Sequence, residues 1–108
     1  MANAADLRRL AMALPNTVEY PHFGRTAFKV TRTYVTLAED GLSANIKFRP
    51  EEQEFKCQIA PEVFQSIANG WGRQGWTLCH LPRATEADLE AALLMAYQHA
   101  FGEPKRNP

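Results

Sequence analysis

The spacing of apolar residues changes along the chain, and the changes mark out its elements. Leu7, Leu10, Ala11 and Leu14 fall at i, i+3, i+4 and i+7, the stripe of a short helix. Pro15 ends that pattern, because the residue before a proline is pushed out of helical geometry. The stretch PNTVEYPHFG carries prolines at 15 and 21 and closes on Gly24, so it reads as a loop. Three alternating segments follow. In RTAFKVT, Phe28 and Val30 share one face and Lys29 and Thr31 the other. TYVTLAE sets Val35 and Leu37 inward with Tyr34 and Thr36 outward; LSANIKF sets Leu42, Ala44, Ile46 and Phe48 inward with Asn45 and Lys47 outward. Asp40-Gly41, between the second and third, is a strong hairpin signal because both residues tolerate positive φ. Such alternation predicts an antiparallel sheet covered on one face.

Pro50 and the glutamates at 51, 52 and 54 predict a helix start, where proline loses no hydrogen bond and acids complement the dipole. A second helical piece is expected after Pro61, through EVFQSIA, and GWTLCHL reads as a strand with Trp76 and Leu78 on its packed face. Thr85 is placed to cap a long helix. In that helix Leu89, Ala92, Leu93, Ala96, Tyr97 and Ala100 form one apolar face, while Glu86, Glu90 and Gln98 lie away from it. Gly102 closes the helix, and residues 102–108 are expected as a flexible tail beyond an ordered core over about 5–101. The predicted architecture is one α+β domain spanning residues 1–108. It has two layers: an antiparallel sheet (a three-strand meander plus a later strand) with helices packed on one face.

An apolar share of 45% against 22% charged places the chain among globular domains rather than disordered ones. Twelve acids balance twelve bases, so no global charge draws the protein to nucleic acid or anionic membrane, and such binding must rest on a local face. The opening MANAADLRRLAMAL is broken by Arg8 and Arg9 and lacks the form of an export signal; no apolar run approaches membrane-spanning length. The expectation is a cytoplasmic protein with no membrane partner and with Cys57 and Cys79 as reduced thiols.

Gly70, Gly72 and Gly75 in GWGRQGWTLCHL spell G-x-G-x-x-G, the dinucleotide fingerprint. That motif needs a strand before it and a helix opening from it, whereas the periodicity places a helix before Gly70 and a strand after Gly75. The glycines therefore read as a sharp turn. Cys79 and His80 are strand neighbours and point to opposite faces, so they form no local nucleophile–base pair; a distant partner such as His22 or His99 stays open. The cysteines and histidines lack zinc-ligand spacing, and His99 reads as a solvated residue of the last helix. No catalytic, metal or cofactor residues emerge, and the expectation is a protein that is not an enzyme.

Charge is unevenly distributed. Residues 20–50 hold Arg25, Lys29, Arg32, Lys47 and Arg49 against Glu39 and Asp40, while residues 51–62 hold four glutamates against Lys56. On the strand alternation Lys29 and Lys47 share the open side of the sheet, near Tyr34. A basic, partly aromatic face can contact phosphates and stack on bases.

Several stretches, in order, resemble the successive motifs of the MmcQ/YjbR family: MALPNTVEYPHFGRTAFKV, GLSANIKFRPEEQE, WGRQGWTLCHL and LLMAYQHA. The matching landmarks are Leu14-Pro15 with Glu19, Phe28-Lys29-Val30, Lys47, Trp71, Gly75-Trp76 and the helix around Tyr97. The resemblance implies a small bacterial α+β protein with a double-wing arrangement and DNA binding. On it, Arg25, Lys29, Arg32, Lys47, Arg49 and Arg73 become the candidates for contacts to double-stranded DNA, with weak and salt-sensitive affinity. The alternative is a protein- or small-ligand-binding module with an aromatic groove between the 20–24 and 70–76 loops, drawing on Tyr20, Phe23, Tyr34, Trp71 and Trp76.

Overall fold

Six strands, two more than the periodicity predicts, form one antiparallel sheet in the order β1-β2-β3-β4-β6-β5. The structure, a computed structural model, describes residues 1–102. The elements run α1 (Ala4–Met12), β1 (Val18–His22), β2 (Arg25–Lys29), β3 (Thr33–Leu37), β4 (Ser43–Lys47), α2 (Pro50–Ile59), β5 (Phe64–Ser66), α3 (Gly70–Arg73), β6 (Trp76–His80), a 3-10 turn (Leu81–Arg83) and α4 (Glu86–Gly102). The α+β class and the long C-terminal helix follow the sequence reading. Of the expected tail, residues 103–108 lie outside the described residues.

Three segments differ from expectation. The stretch read as a loop contains β1, an edge strand paired with β2 through Tyr20↔Ala27 and Pro21↔Thr26. An edge strand tolerates Pro21, because only one of its sides must donate to a ladder. The EVFQSIA segment forms β5, three residues long and paired with β6, not a helix. Around Gly70 the chain makes the short helix α3, capped by Asn69, whose Oδ1 accepts from the Trp71 amide at 2.9 Å.

Register decides which face is which. Phe28, Val35, Ile46 and Thr77 oppose one another across four strands, and Ala44, Cys79 and Phe64 form the neighbouring row. All seven are buried, and the six apolar ones share one core with residues of α1 and α4. Trp76 and Leu78 therefore lie on the opposite, outer face and are only half-buried, against the expectation that they pack inward. Leu42, expected inside, is 58% exposed at the β3–β4 hairpin. Tyr34 makes the reverse exchange. The register shifts opposite Phe28 and Lys29, so one extra residue of β3 is accommodated there, and Tyr34 is fully buried. Its ring meets Tyr97 edge-on at 5.7 Å, and its hydroxyl reaches Thr17 Oγ1 and the Ala11 carbonyl.

The termini of the helices obey local chemistry. Thr85 and Asp88 form the reciprocal cap of α4, and Asn3 and Asp6 that of α1. The six apolar residues assigned to the α4 face are all buried.

Burial also decides the thiols. Cys79 is fully buried beside Phe64, and desolvation pushes its pKa up to about 12. Burial raises the Tyr34 phenol as well. A group whose pKa rises on folding stabilises the native state below its unfolded value and loses that contribution as pH climbs through the folded one. Stability should thus fall from about pH 9 upward, and Cys79→Ala should flatten the fall in a series of urea midpoints. In the native protein a thiol reagent should modify half-buried Cys57 and spare Cys79. An unchanged alkaline slope in the variant contradicts this assignment.

Candidate functional site

The outer face of the sheet carries a cleft of about 350 Å³. Arg25, Thr36 and Asn45 come from adjacent strands β2, β3 and β4 and form its sheet wall. One rim is the β1–β2 turn with His22 and Phe23; the other is the segment from β5 to β6 with Ile67, Asn69, Trp71 and Trp76. The volume lies at the small end of the range for ligand sites.

The first rim is a two-residue hairpin in which Phe23 has φ +51° and Gly24 φ +78°. Both values are what a type I′ turn demands, and Asn-Gly is the usual sequence for it. A phenylalanine there is strained by about 1 kcal/mol or more, since its Cβ crowds the following carbonyl. Its ring is 93% exposed and meets the His22 ring at 4.7 Å. The turn therefore carries strain to present an aromatic to solvent.

The second rim is held by backbone contacts at two glycines. A Cβ on Gly72 would stand 1.6 Å from the Ile67 carbonyl oxygen, and one on Gly75 would stand 1.9 Å from that of Phe48. Gly75 also has φ +107°, which side chains rarely adopt. From α2, the buried side chain of Gln53 donates to the carbonyls of Gly72 and Trp76, each at 3.0 Å. Trp71 is left 59% exposed, and Trp76 is half-buried beside the same cleft. The glycine fingerprint thus has a strand before it and a helix opening from it, contrary to the sequence reading. That helix has four residues, and two of its three glycines are spent on contacts with the chain's own backbone. The glycines serve a tight turn of the backbone into β6.

Arg25 supplies the cleft's charge. Its Nε donates to Thr36 Oγ1 at 2.9 Å and its Nη2 to the Thr36 carbonyl at 3.1 Å. Desolvation lowers its pKa, and no carboxylate of the described residues lies within ion-pair distance.

The other DNA candidates disperse. Lys29 is exposed with its amine 5.2 Å from the centre of the Tyr20 ring, so it shares the outer face. Lys47, expected beside it, turns to the helical layer, with Nζ 3.4 Å from His99 Nε2. Arg32 donates to the His99 carbonyl at 3.2 Å, at the negative end of α4, so His99 is a half-buried junction rather than a solvated residue. Arg49 lies 3.5 Å from the Glu52 carboxylate, and Arg73 is exposed on α3. Of the groove candidates, Phe23, Trp71 and Trp76 line the cleft; Tyr20 adjoins His22 at 6.1 Å, and Tyr34 is in the core. The sequence reading did not associate Arg25, Thr36, Asn45 or Asn69 with this groove, because only the strand register brings them to it. Among the described residues no group of three His, Cys, Asp or Glu could hold a metal ion, and no helix is long and apolar enough to cross a membrane.

The family model described as YjbR matches residues 12–99. The chain is similar in fold to the crystal structure of Deinococcus radiodurans protein DR2400, described by the family-model domain DUF419. The TM-score is 0.76 at 24% identity, covering 97% of this chain and 84% of that one. No curated protein matches the sequence.

The three glycines separate by substitution. Gly72→Ala and Gly75→Ala should each lower the unfolding free energy by roughly 2 kcal/mol or more, because backbone must move. Gly70→Ala meets only the tip of Arg73 at 3.6 Å and should stay within about 0.5 kcal/mol of the parent. Equal tolerance at all three positions in urea unfolding would contradict the packing assigned to Gly72 and Gly75.

Proposed function

The chain belongs to the YjbR family, and from that premise and the outer-face cleft we propose that it is a non-enzymatic binding module whose ligand seats between the Phe23 and Trp71 rims. The carrying observation is Phe23: a bulky side chain in a left-handed turn, exposed at the mouth of a cleft that two tryptophans also line. Strain kept without a packing return points to a role outside the fold. The described residues lining the cleft include no acid, cysteine or lysine, and the one imidazole among them, His22, sits on the rim. Such a wall suits holding a ligand more than transforming it.

A second reading, DNA binding, draws on Lys29. It stands exposed over Tyr20 on the outer face that also carries Arg25, and a cation beside an aromatic can hold a phosphate and a base. With Lys47, Arg32 and Arg49 engaged elsewhere, few phosphate contacts remain, so affinity would be weak and steeply salt-dependent.

Phe23→Asn tests the first reading. Asparagine suits the turn, so the variant should gain about 0.5–1 kcal/mol in urea unfolding. It should also bind aromatic ligands found by tryptophan fluorescence about threefold or more weakly. A variant that is less stable, or that binds such ligands unchanged, contradicts the reading. For the second, labelled duplex is titrated at low and moderate salt against the parent and against Lys29→Glu/Arg73→Glu. Binding at low salt that the double variant loses supports it; no binding at low salt, or binding indifferent to the substitutions, removes it.

A further inference from the structure

The polar groups of the cleft specify more than an apolar ligand. Arg25 is the one permanent cation among the described residues that line it, and the remaining polar residues on the wall, Thr36, Asn45 and Asn69, are neutral. The two bonds to Thr36 use Nε and Nη2 and fix the guanidinium plane, leaving Nη1 with no hydrogen-bond partner among the described residues. A half-buried guanidinium held in this plane, with no carboxylate of the described residues within ion-pair distance, can offer Nη1 to an anion.

Charge and size narrow the anion. Asp40 acts on Arg25 electrostatically, and Glu39 stands beside the Gly24 turn, so the surroundings of the single cation are acidic. A phosphate dianion or a nucleic-acid backbone would face those acids with one arginine to offset them. A single negative charge matches the site. The aromatic residues Phe23, Trp71 and Trp76 call for a planar apolar body, and about 350 Å³ suits one of one or two rings.

Resting on the cleft reading above, we propose that the site takes a small aromatic monocarboxylate. Its carboxylate sits on Arg25 and its ring lies against Phe23, Trp71 and Trp76. The proposed ligand is a free acid of about this volume.

The test compares phenylacetate with its uncharged isostere phenylacetamide by calorimetry, on the parent protein and on Arg25→Gln. The parent should bind the acid about tenfold or more tightly than the amide, and Arg25→Gln should abolish that preference. The acid–amide comparison in the parent needs no variant, so it stands even if Arg25→Gln folds poorly. Equal binding of acid and amide, both weakened by Phe23→Asn, overturns the carboxylate assignment and leaves the cleft as a binding site. Absence of binding by either, with tryptophan fluorescence unmoved, overturns the carboxylate assignment and counts against the cleft reading as well. A peptide with a free C-terminal phenylalanine, or an oligonucleotide, that displaces phenylacetate with more than tenfold greater affinity identifies another occupant and also overturns the proposal.

Discussion

The site depends on one side-chain amide. Gln53, buried on α2, donates both of its N–H groups to carbonyls of the segment that carries the tryptophans, one at Gly72 and one at Trp76. Without it the Gly72 carbonyl keeps the Gly75 amide and the Trp76 carbonyl keeps that of Ile67, but the two bonds that tie the segment to α2 are lost, at about 0.5–1.5 kcal/mol each. The Gly72 carbonyl lies in the turn that ends α3, and the Trp76 carbonyl opens β6. Gln53 therefore sets where the short helix sits relative to the sheet. The glycine contacts with Ile67 and Phe48 make the approach possible, and the amide holds it.

From that point the two faces of the sheet divide the work. The inner face buries Phe28, Val35, Ile46 and Cys79 in one core with residues of α1 and α4 and carries the stability of the fold. The outer face has no helical layer over Arg25 and Asn45; it has two rims instead, and each departs from what stability alone would choose. A phenylalanine occupies a left-handed turn on one side, and a largely exposed tryptophan follows a short helix start on the other. Arg25 lies between them, partly desolvated, with no carboxylate of the described residues within ion-pair distance. The basic residues that the sequence gathers into one segment are separated by the twist and register of the strands. Arg32 and Lys47 meet the end of α4, where positive charge favours the helix dipole.

Much of this was legible wherever the signal is local. The face of α4, its Thr85 cap, the Asp40-Gly41 hairpin and the Pro50 helix start depend on neighbours within a few residues, and each is found as expected. The strand β1 is hidden from the sequence because Pro21 breaks the alternation and an edge strand has no fixed burial pattern. With three residues, β5 is too short to show a period. Tyr34 was misplaced because a bulge adds one residue to β3, and from sequence nothing marks it. The aromatics of the cleft could be named from the sequence, since Phe23, Trp71 and Trp76 stand beside glycines in two loops. Arg25 reads from the sequence only as one of the basic DNA candidates, and Gln53 carries no sequence signal. Their roles arise from strand register and from a contact across 19 residues of chain.

The most direct measurement is the amide and indole NMR spectrum of Gln53→Met, which keeps the side-chain length and removes both donors. If the Gln53 contacts position the site, the resonances of Trp71 and Trp76 and of the segment 67–76 should shift or broaden, while those of α4 and of β2 to β4 stay in place. Spectra that superimpose throughout, or a variant that loses α4 together with the tryptophan segment, would contradict the account.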